Sequence, residues 1–146
     1  MRALIQRVSS SQVVVDSKVI GKIDKGFLVL VGYTHTDSPQ LNDKMVDKIL
    51  NLRVFADDAG KMNLSVKEVG GSLLVVSQFT LYGNTNGGRR PDFLKSAKPE
   101  LAIPLYKDFI EKLKKNIVVE TGEFGAMMQV SLVNDGPVTL MIEFET

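Results

Sequence analysis

Gly26-Phe27-Leu28-Val29-Leu30-Val31-Gly32 places five consecutive apolar residues between two glycines. A strand with one wet face alternates polar and apolar residues, so this unbroken run predicts a strand covered on both faces. Gly70-Gly71 precedes a second run of the same kind, Leu73-Leu74-Val75-Val76, which continues into Ser77-Gln78-Phe79-Thr80-Leu81. Between the two runs, Ser38-Pro39 offers an N-cap and a proline at the first helical position. Leu41, Met45 and Ile49 follow at every fourth residue, with Val46 and Leu50 widening the stripe, which predicts an amphipathic helix to about Asn51. Leu101, Leu105, Phe109 and Leu113 repeat the pattern after Pro99, and Pro104 inside it predicts a kink or a later start.

Farther out the signal turns to strands. Residues 3–15 and Lys18 to Ile23 read as a hairpin around Asp16-Ser17, Leu52 to Phe55 as a short strand before a turn at 57–61, and Ile117 to Glu120 as another short strand. Met128, Val130 and Leu132 alternate with polar residues, as do Val138, Leu140, Ile142 and Phe144. Asn134-Asp135-Gly136-Pro137 between them reads as a hairpin turn. Strands grouped at both ends with two helices between them predict an α+β fold.

Length and composition narrow the function. The chain has 146 residues, close to the prior of roughly 150 per domain, which predicts one domain spanning 1–146. Eighteen basic against seventeen acidic residues give +1, so any nucleic-acid surface is local. Zero cysteines exclude a disulfide framework, a thiol nucleophile and thiolate metal sites, and the single His35 excludes multi-histidine metal centres. No stretch approaches the ~20 apolar residues of a membrane span, and the first residues lack a signal-peptide core. A cytoplasmic location is the default expectation.

Three stretches can carry chemistry. Ser77-Gln78-Phe79-Thr80 sets polar groups directly on an apolar strand. Strand pleating would send Gln78 and Thr80 to one face and Ser77 and Phe79 to the other. They are either a strand end reaching solvent or the floor of a pocket. Asn134 to Thr139 is either an ordinary Asp-Gly turn or, through Gly136-Pro137, a rigid backbone acceptor pair if that bond is cis. Gly87-Gly88-Arg89-Arg90-Pro91 is either a solvated basic loop or a phosphate contact that Lys95 and Lys98 extend. His35 reads as an exposed loop residue. No GxGxxG, P-loop, GxSxG or HExxH motif occurs, so conventional acid–base or metal hydrolysis has little to work with.

Taken in order, these stretches resemble one family, the D-aminoacyl-tRNA deacylases. Ser77-Gln78-Phe79-Thr80-Leu81 is similar to its first signature, and Asn134-Asp135-Gly136-Pro137-Val138-Thr139 to its second. The opening Met1-Arg2-Ala3-Leu4-Ile5-Gln6-Arg7-Val8, Gly60-Lys61-Met62-Asn63, Gly88-Arg89-Arg90-Pro91-Asp92-Phe93 and Phe124 to Val130 are family-like as well. The resemblance spans the whole chain. It implies mixed, mostly antiparallel sheets in a barrel-like, two-layer arrangement with two main helices. It further implies a homodimer with active sites at its interface, and hydrolysis of the D-aminoacyl-tRNA ester without metal or cofactor. Gly136 and Pro137 would be a cis chiral selector reaching into the partner's pocket, which Ser77, Gln78, Phe79 and Thr80 line. Phe79 and Met128 would lie near the terminal adenosine, Arg89 and Arg90 would contact tRNA, and Arg7 would brace the Gly-Pro motif.

A backbone wall that rejects L side chains leaves glycine unrejected, so glycyl-tRNA cleavage is expected. Attack would come either from Thr80, for which no base is evident, or from water assisted by the tRNA 2′-hydroxyl. The other function classes consistent with the chain are a nucleic-acid-binding or interaction protein without turnover, and an esterase of simple amino-acid esters.

Overall fold

The two apolar runs lie side by side. The computed structural model describes all residues 1–146. Its elements are β1 (Arg2–Val15), β2 (Lys18–Ile23), β3 (Gly26–Gly32), α1 (Pro39–Asn51), β4 (Phe55–Ala56), β5 (Met62–Leu64), β6 (Ser72–Ser77), α2 (Pro99–Lys114), β7 (Val119–Thr121) and β8 (Gln129–Glu143). β3 and β6 pair in parallel, with Phe27 opposite Leu73 and Val29 opposite Val75, and β6 pairs in parallel with β7. A parallel pair needs a long crossover. α1 and the β4–β5 hairpin span the first gap, and α2 spans the second.

Both faces of this parallel core are covered. Phe27, Val29, Val31, Leu73 and Val75 join Met45 and Ile49 of α1 and Leu105, Phe109 and Leu113 of α2 in a cluster of 26 buried residues. Leu28, Leu74 and Val76 point the other way and meet Val8, Val13 and Ile23. Each large aliphatic side chain so buried contributes roughly 1.5–3 kcal/mol, which is why neither run can afford a polar residue.

The second cluster is enclosed because β1 is long and shared. Its first half pairs with β3, its second half with β2, and its other edge with β8, all antiparallel. β2 then curls toward β7. Gly21 approaches so closely that a Cβ there would fall 2.5 Å from the Thr121 carbonyl oxygen. The result is a nearly closed, barrel-like sheet with the two helices on its outer layer, the mixed α+β arrangement the sequence predicts.

Several local readings change. Asn134 to Thr139 is not a hairpin turn, because the segments on both sides belong to β8 and pair with β1. Asn134 lies opposite Val8 and Thr139 opposite Gln6, so Asp135 to Val138 bulge out beside Arg7. The β6 strand stops at Ser77, and Phe79–Tyr82 is a single 3-10 turn, so the pleat alternation of residues 77–80 does not hold. α2 starts at Pro99 and runs through Pro104. Pro104 is exposed, where water can satisfy the freed Glu100 carbonyl. The short strands lie at Phe55–Ala56 and Val119–Thr121, each shifted toward its pairing partner.

The Met1 ammonium is fully buried. It donates to Asp37 Oδ1 (2.8 Å) and to the Phe144 carbonyl (2.7 Å), while Asp37 Oδ2 accepts the Thr34 N–H (2.8 Å). The contact ties β1, the loop after β3 and the end of the chain together. Asp37→Asn leaves that ammonium without its counter-charge. It should cost about 3–5 kcal/mol and lower the thermal midpoint by about 10 °C, read by calorimetry.

Candidate active site

The carboxyl ends of parallel strands are where open α/β sheets gather ligands, and here three such ends converge. Tyr33 follows β3, Phe79 follows β6, and Phe124 and Gly125 follow β7. With Ser77 at the end of β6, and Ala97, Pro99 and Ala102 at the start of α2, they enclose an apolar cavity of about 300 Å³. The Gln78 N–H donates to the Val31 carbonyl (2.7 Å), the last rung to β3. The chain then turns into Phe79–Tyr82, which leaves Phe79 and Thr80 exposed at the cavity mouth. The Phe79 ring meets the edge of Phe93 with centroids 5.1 Å apart, and its free face suits stacking.

The cavity holds no acid–base pair. Its walls carry no carboxylate, imidazole or amine. Burial pushes the Tyr33 phenol well above its usual range. Its hydroxyl is committed: it donates to Asn42 Oδ1 (2.9 Å) and lies 3.2 Å from the Leu105 carbonyl oxygen. Tyr106, behind the wall, is pushed up to about 12 by burial, and its hydroxyl donates to the Val75 carbonyl. Gln78 Nε2 donates to Thr80 Oγ1, so that hydroxyl is partnered by a neutral amide rather than a base. His35 is exposed, with Nε2 2.7 Å from the Leu94 carbonyl oxygen. Such a site can position a reactive ester and supply dipoles, but it has no general base of its own.

Not every residue singled out in the sequence lies at the cavity. Met128 packs over Gly122 and against the barrel-side cluster, and Phe124 and Gly125 form the wall instead. Arg89 and Arg90 sit on an exposed loop tip. Its neck is closed by paired backbone hydrogen bonds between Asn84 and Asp92 (2.9 and 3.0 Å). Tyr33, Ala97 and Ala102 are wall residues that no sequence pattern marks.

Gly136 and Pro137 form a separate station. Their peptide bond is cis, and both residues are exposed. Gly136 has φ +149°, and a Cβ there would lie 2.7 Å from the Val138 nitrogen and 3.3 Å from Arg7 Nη2; only glycine fits. Arg7 Nε donates to the Asp135 carbonyl (2.8 Å), and its guanidinium also reaches the Val54 carbonyl and lies over the Phe55 ring. Asn134 clamps the bulge. Its Oδ1 accepts the Val138 N–H (2.8 Å), and its Nδ2 donates to Thr139 Oγ1 (3.0 Å).

The two stations stand apart within one chain. Arg2, at the start of β1, donates to the Leu81 carbonyl (2.8 Å) of the 3-10 turn, whereas the bulge lies opposite Arg7. The intervening stretch of β1 is about 16 Å long at ~3.3 Å per residue.

A 3-10 turn beside an apolar cavity, with a distant backbone bulge on a shared long strand, is the site that this α+β fold builds. The family pattern described as D-Tyr-tRNA(Tyr) deacylase matches residues 4–143, and the chain belongs to that family. A protein of Clostridioides difficile (strain 630) named D-aminoacyl-tRNA deacylase is 58% identical over 144 residues, covering 98% of this chain and 97% of that one. One of Thermus aquaticus with the same name is 54% identical, covering 98% and 95%. A solved structure named c-Myc DNA Unwinding Element Binding Protein superposes with a TM-score of 0.95 at 41% identity over the full length of both chains. A probable eukaryotic D-amino acid tRNA deacylase shares the fold, with a TM-score of 0.84 at 17% identity over 97% of each chain.

The Asn134 clamp has a local readout. Asn134→Ala removes the acceptor of the Val138 N–H, so that amide should lose hydrogen-exchange protection. Overall stability should fall by only about 1–2 kcal/mol. Undiminished protection at Val138 would mean the bulge is held by other contacts.

Proposed function

We propose that residues 1–146 form a single deacylase domain that hydrolyses the ester of D-aminoacyl-tRNA, releasing the D-amino acid and free tRNA. The observation that carries this reading is the family match over residues 4–143, with the 77–81 stretch intact at the mouth of a cavity that has no acid–base pair and the 134–139 stretch intact at the bulge beside Arg7. An aminoacyl ester is already activated, so positioning and backbone electrostatics suffice. The base of the terminal adenosine enters the apolar cavity against Phe79. Arg89 and Arg90 meet acceptor-end phosphates. The 2′-hydroxyl of the tRNA assists water, and N–H groups of the 77–80 segment receive the developing oxyanion.

Chiral selection falls to Gly136 and Pro137 of a second copy. Two features support a homodimer. The two stations lie too far apart in one chain to form one site. β8 pairs only with β1, which leaves a long edge unpartnered, with Val133, Leu140 and Met141 exposed along the strand; an open edge of this length invites pairing. An L side chain would meet the Gly-Pro backbone, and glycine, having no side chain, escapes that wall.

The test is hydrolysis of D-tyrosyl-, L-tyrosyl- and glycyl-tRNA by the purified protein without added metal. Loss of the D ester with the L ester intact, and glycyl cleavage at higher enzyme, is the expected pattern. Equal loss of the D and L esters overturns the wall, and no loss of any ester favours a binding protein without turnover. Thr80→Ala should keep most of kcat, whereas loss of a covalent Thr80 nucleophile would cost on the order of 10⁶-fold.

A further inference from the structure

We infer that Ser96 is a positioning residue for the reaction and that Arg2 seconds it, a reading that rests on the 77–82 segment being the reactive station. Short 3-10 turns hold themselves poorly. This one has long or terminal backbone bonds: Leu81 N–H to the Gln78 carbonyl at 3.2 Å and Gly83 N–H to the Thr80 carbonyl at 2.9 Å. Two side chains from remote segments grip its carbonyls instead. Ser96 Oγ donates to the Phe79 carbonyl (2.9 Å), and Arg2 Nη1 donates to the Leu81 carbonyl (2.8 Å).

The consequence follows from peptide planarity. The Phe79 carbonyl and the Thr80 N–H belong to one rigid trans unit and point in opposite directions. Holding the Phe79 oxygen therefore aims the Thr80 N–H, and holding the Leu81 oxygen fixes the far end of the turn in which that N–H stands. In a site without an acid–base pair, the direction of such donors is what the protein has to offer a developing oxyanion.

Both pins are anchored to the core. The Ser96 N–H donates to the Phe93 carbonyl (3.0 Å), Ser96 bridges Thr34, and the next residue, Ala97, donates to the Tyr33 carbonyl (2.9 Å). Arg2 stands in β1, with its guanidinium 4.5 Å from the centre of the Tyr82 ring and paired with Glu143 of β8. Ser96 thus refers the turn to β3 and the start of α2, and Arg2 refers it to the β1–β8 pair.

The experiment is steady-state hydrolysis of D-tyrosyl-tRNA by the wild-type protein and by Ser96→Ala, Ser96→Thr and Arg2→Lys, with the thermal midpoint of each. Lysine keeps a charge for Glu143 but lacks the fork that also reaches Leu81. Ser96→Ala and Arg2→Lys should each lower kcat about 10- to 100-fold. KM should stay within about twofold and the midpoint within about 4 °C, the scale of one lost hydrogen bond. Ser96→Thr, which keeps the hydroxyl, should retain most of kcat. An unchanged kcat in Ser96→Ala overturns the inference, as does a loss that only follows a fall in folded fraction. A wild-type protein without activity overturns the underlying functional reading instead.

Discussion

The parallel pairing of β3 with β6 is the constraint on which the rest of the molecule depends. Two strands buried on both faces need cover on both sides, and one chain supplies it in two different ways. On one side α1 and α2 lay down their apolar stripes, with Met45, Ile49, Phe109 and Leu113 fully buried. On the other the sheet curls over itself and encloses Leu28, Leu74 and Val76. The crossovers that parallel pairing demands bring the segments after β3, β6 and β7 to one end, beside the start of α2. The cavity between Tyr33, Phe79 and Phe124 is therefore a product of topology before it is a product of particular side chains.

β1 is the second organiser. It pairs with three strands and carries a charged residue near each station, Arg2 under the 3-10 turn and Arg7 under the Gly136–Pro137 bulge. Each arginine donates to a backbone carbonyl of the segment it supports. Long guanidinium side chains do this well, because the fork grips a carbonyl while the planar face rests on an aromatic ring, Tyr82 for Arg2 and Phe55 for Arg7. The functional stretches are thus irregular backbone held by regular structure. That suits the proposed reaction at a site whose walls carry no carboxylate, imidazole or amine, because peptide dipoles then do the work and their directions must be set in advance.

Much of this was legible in the residues. The unbroken apolar runs at 27–31 and 73–76, the fourfold spacing of Leu41, Met45 and Ile49, and the alternation around 130 and 140 gave the right elements, because burial on two faces, on a helical stripe or on one strand face each leaves its own period. The readings that changed share one cause. Asp135-Gly136 has turn chemistry, yet β1 pairs with the chain on both sides of it, and a local signal cannot report a partner more than a hundred residues away. Gln78 to Thr80 continue a strand by pattern, but pairing with β3 ends at Val31–Gln78 and the chain turns. Pro104 sits inside a helical stripe and is tolerated because it faces water.

The candidate site divides along the same line. Composition by itself excluded a thiol nucleophile, thiolate metal sites and multi-histidine centres, and the two signature stretches marked which backbone segments carry the distinctive residues. Only the tertiary structure decided that Tyr33, Ala97, Ala102 and Phe124 form the cavity wall, that Ser96 and Arg2 hold the turn, and that Gly136–Pro137 lies beside Arg7, about 16 Å along β1 from Arg2. The reason is physical. Periodicity and residue type record how each residue meets its own strand or helix, whereas a cavity, a brace or a separation exists only between segments and is set by how the strands pair.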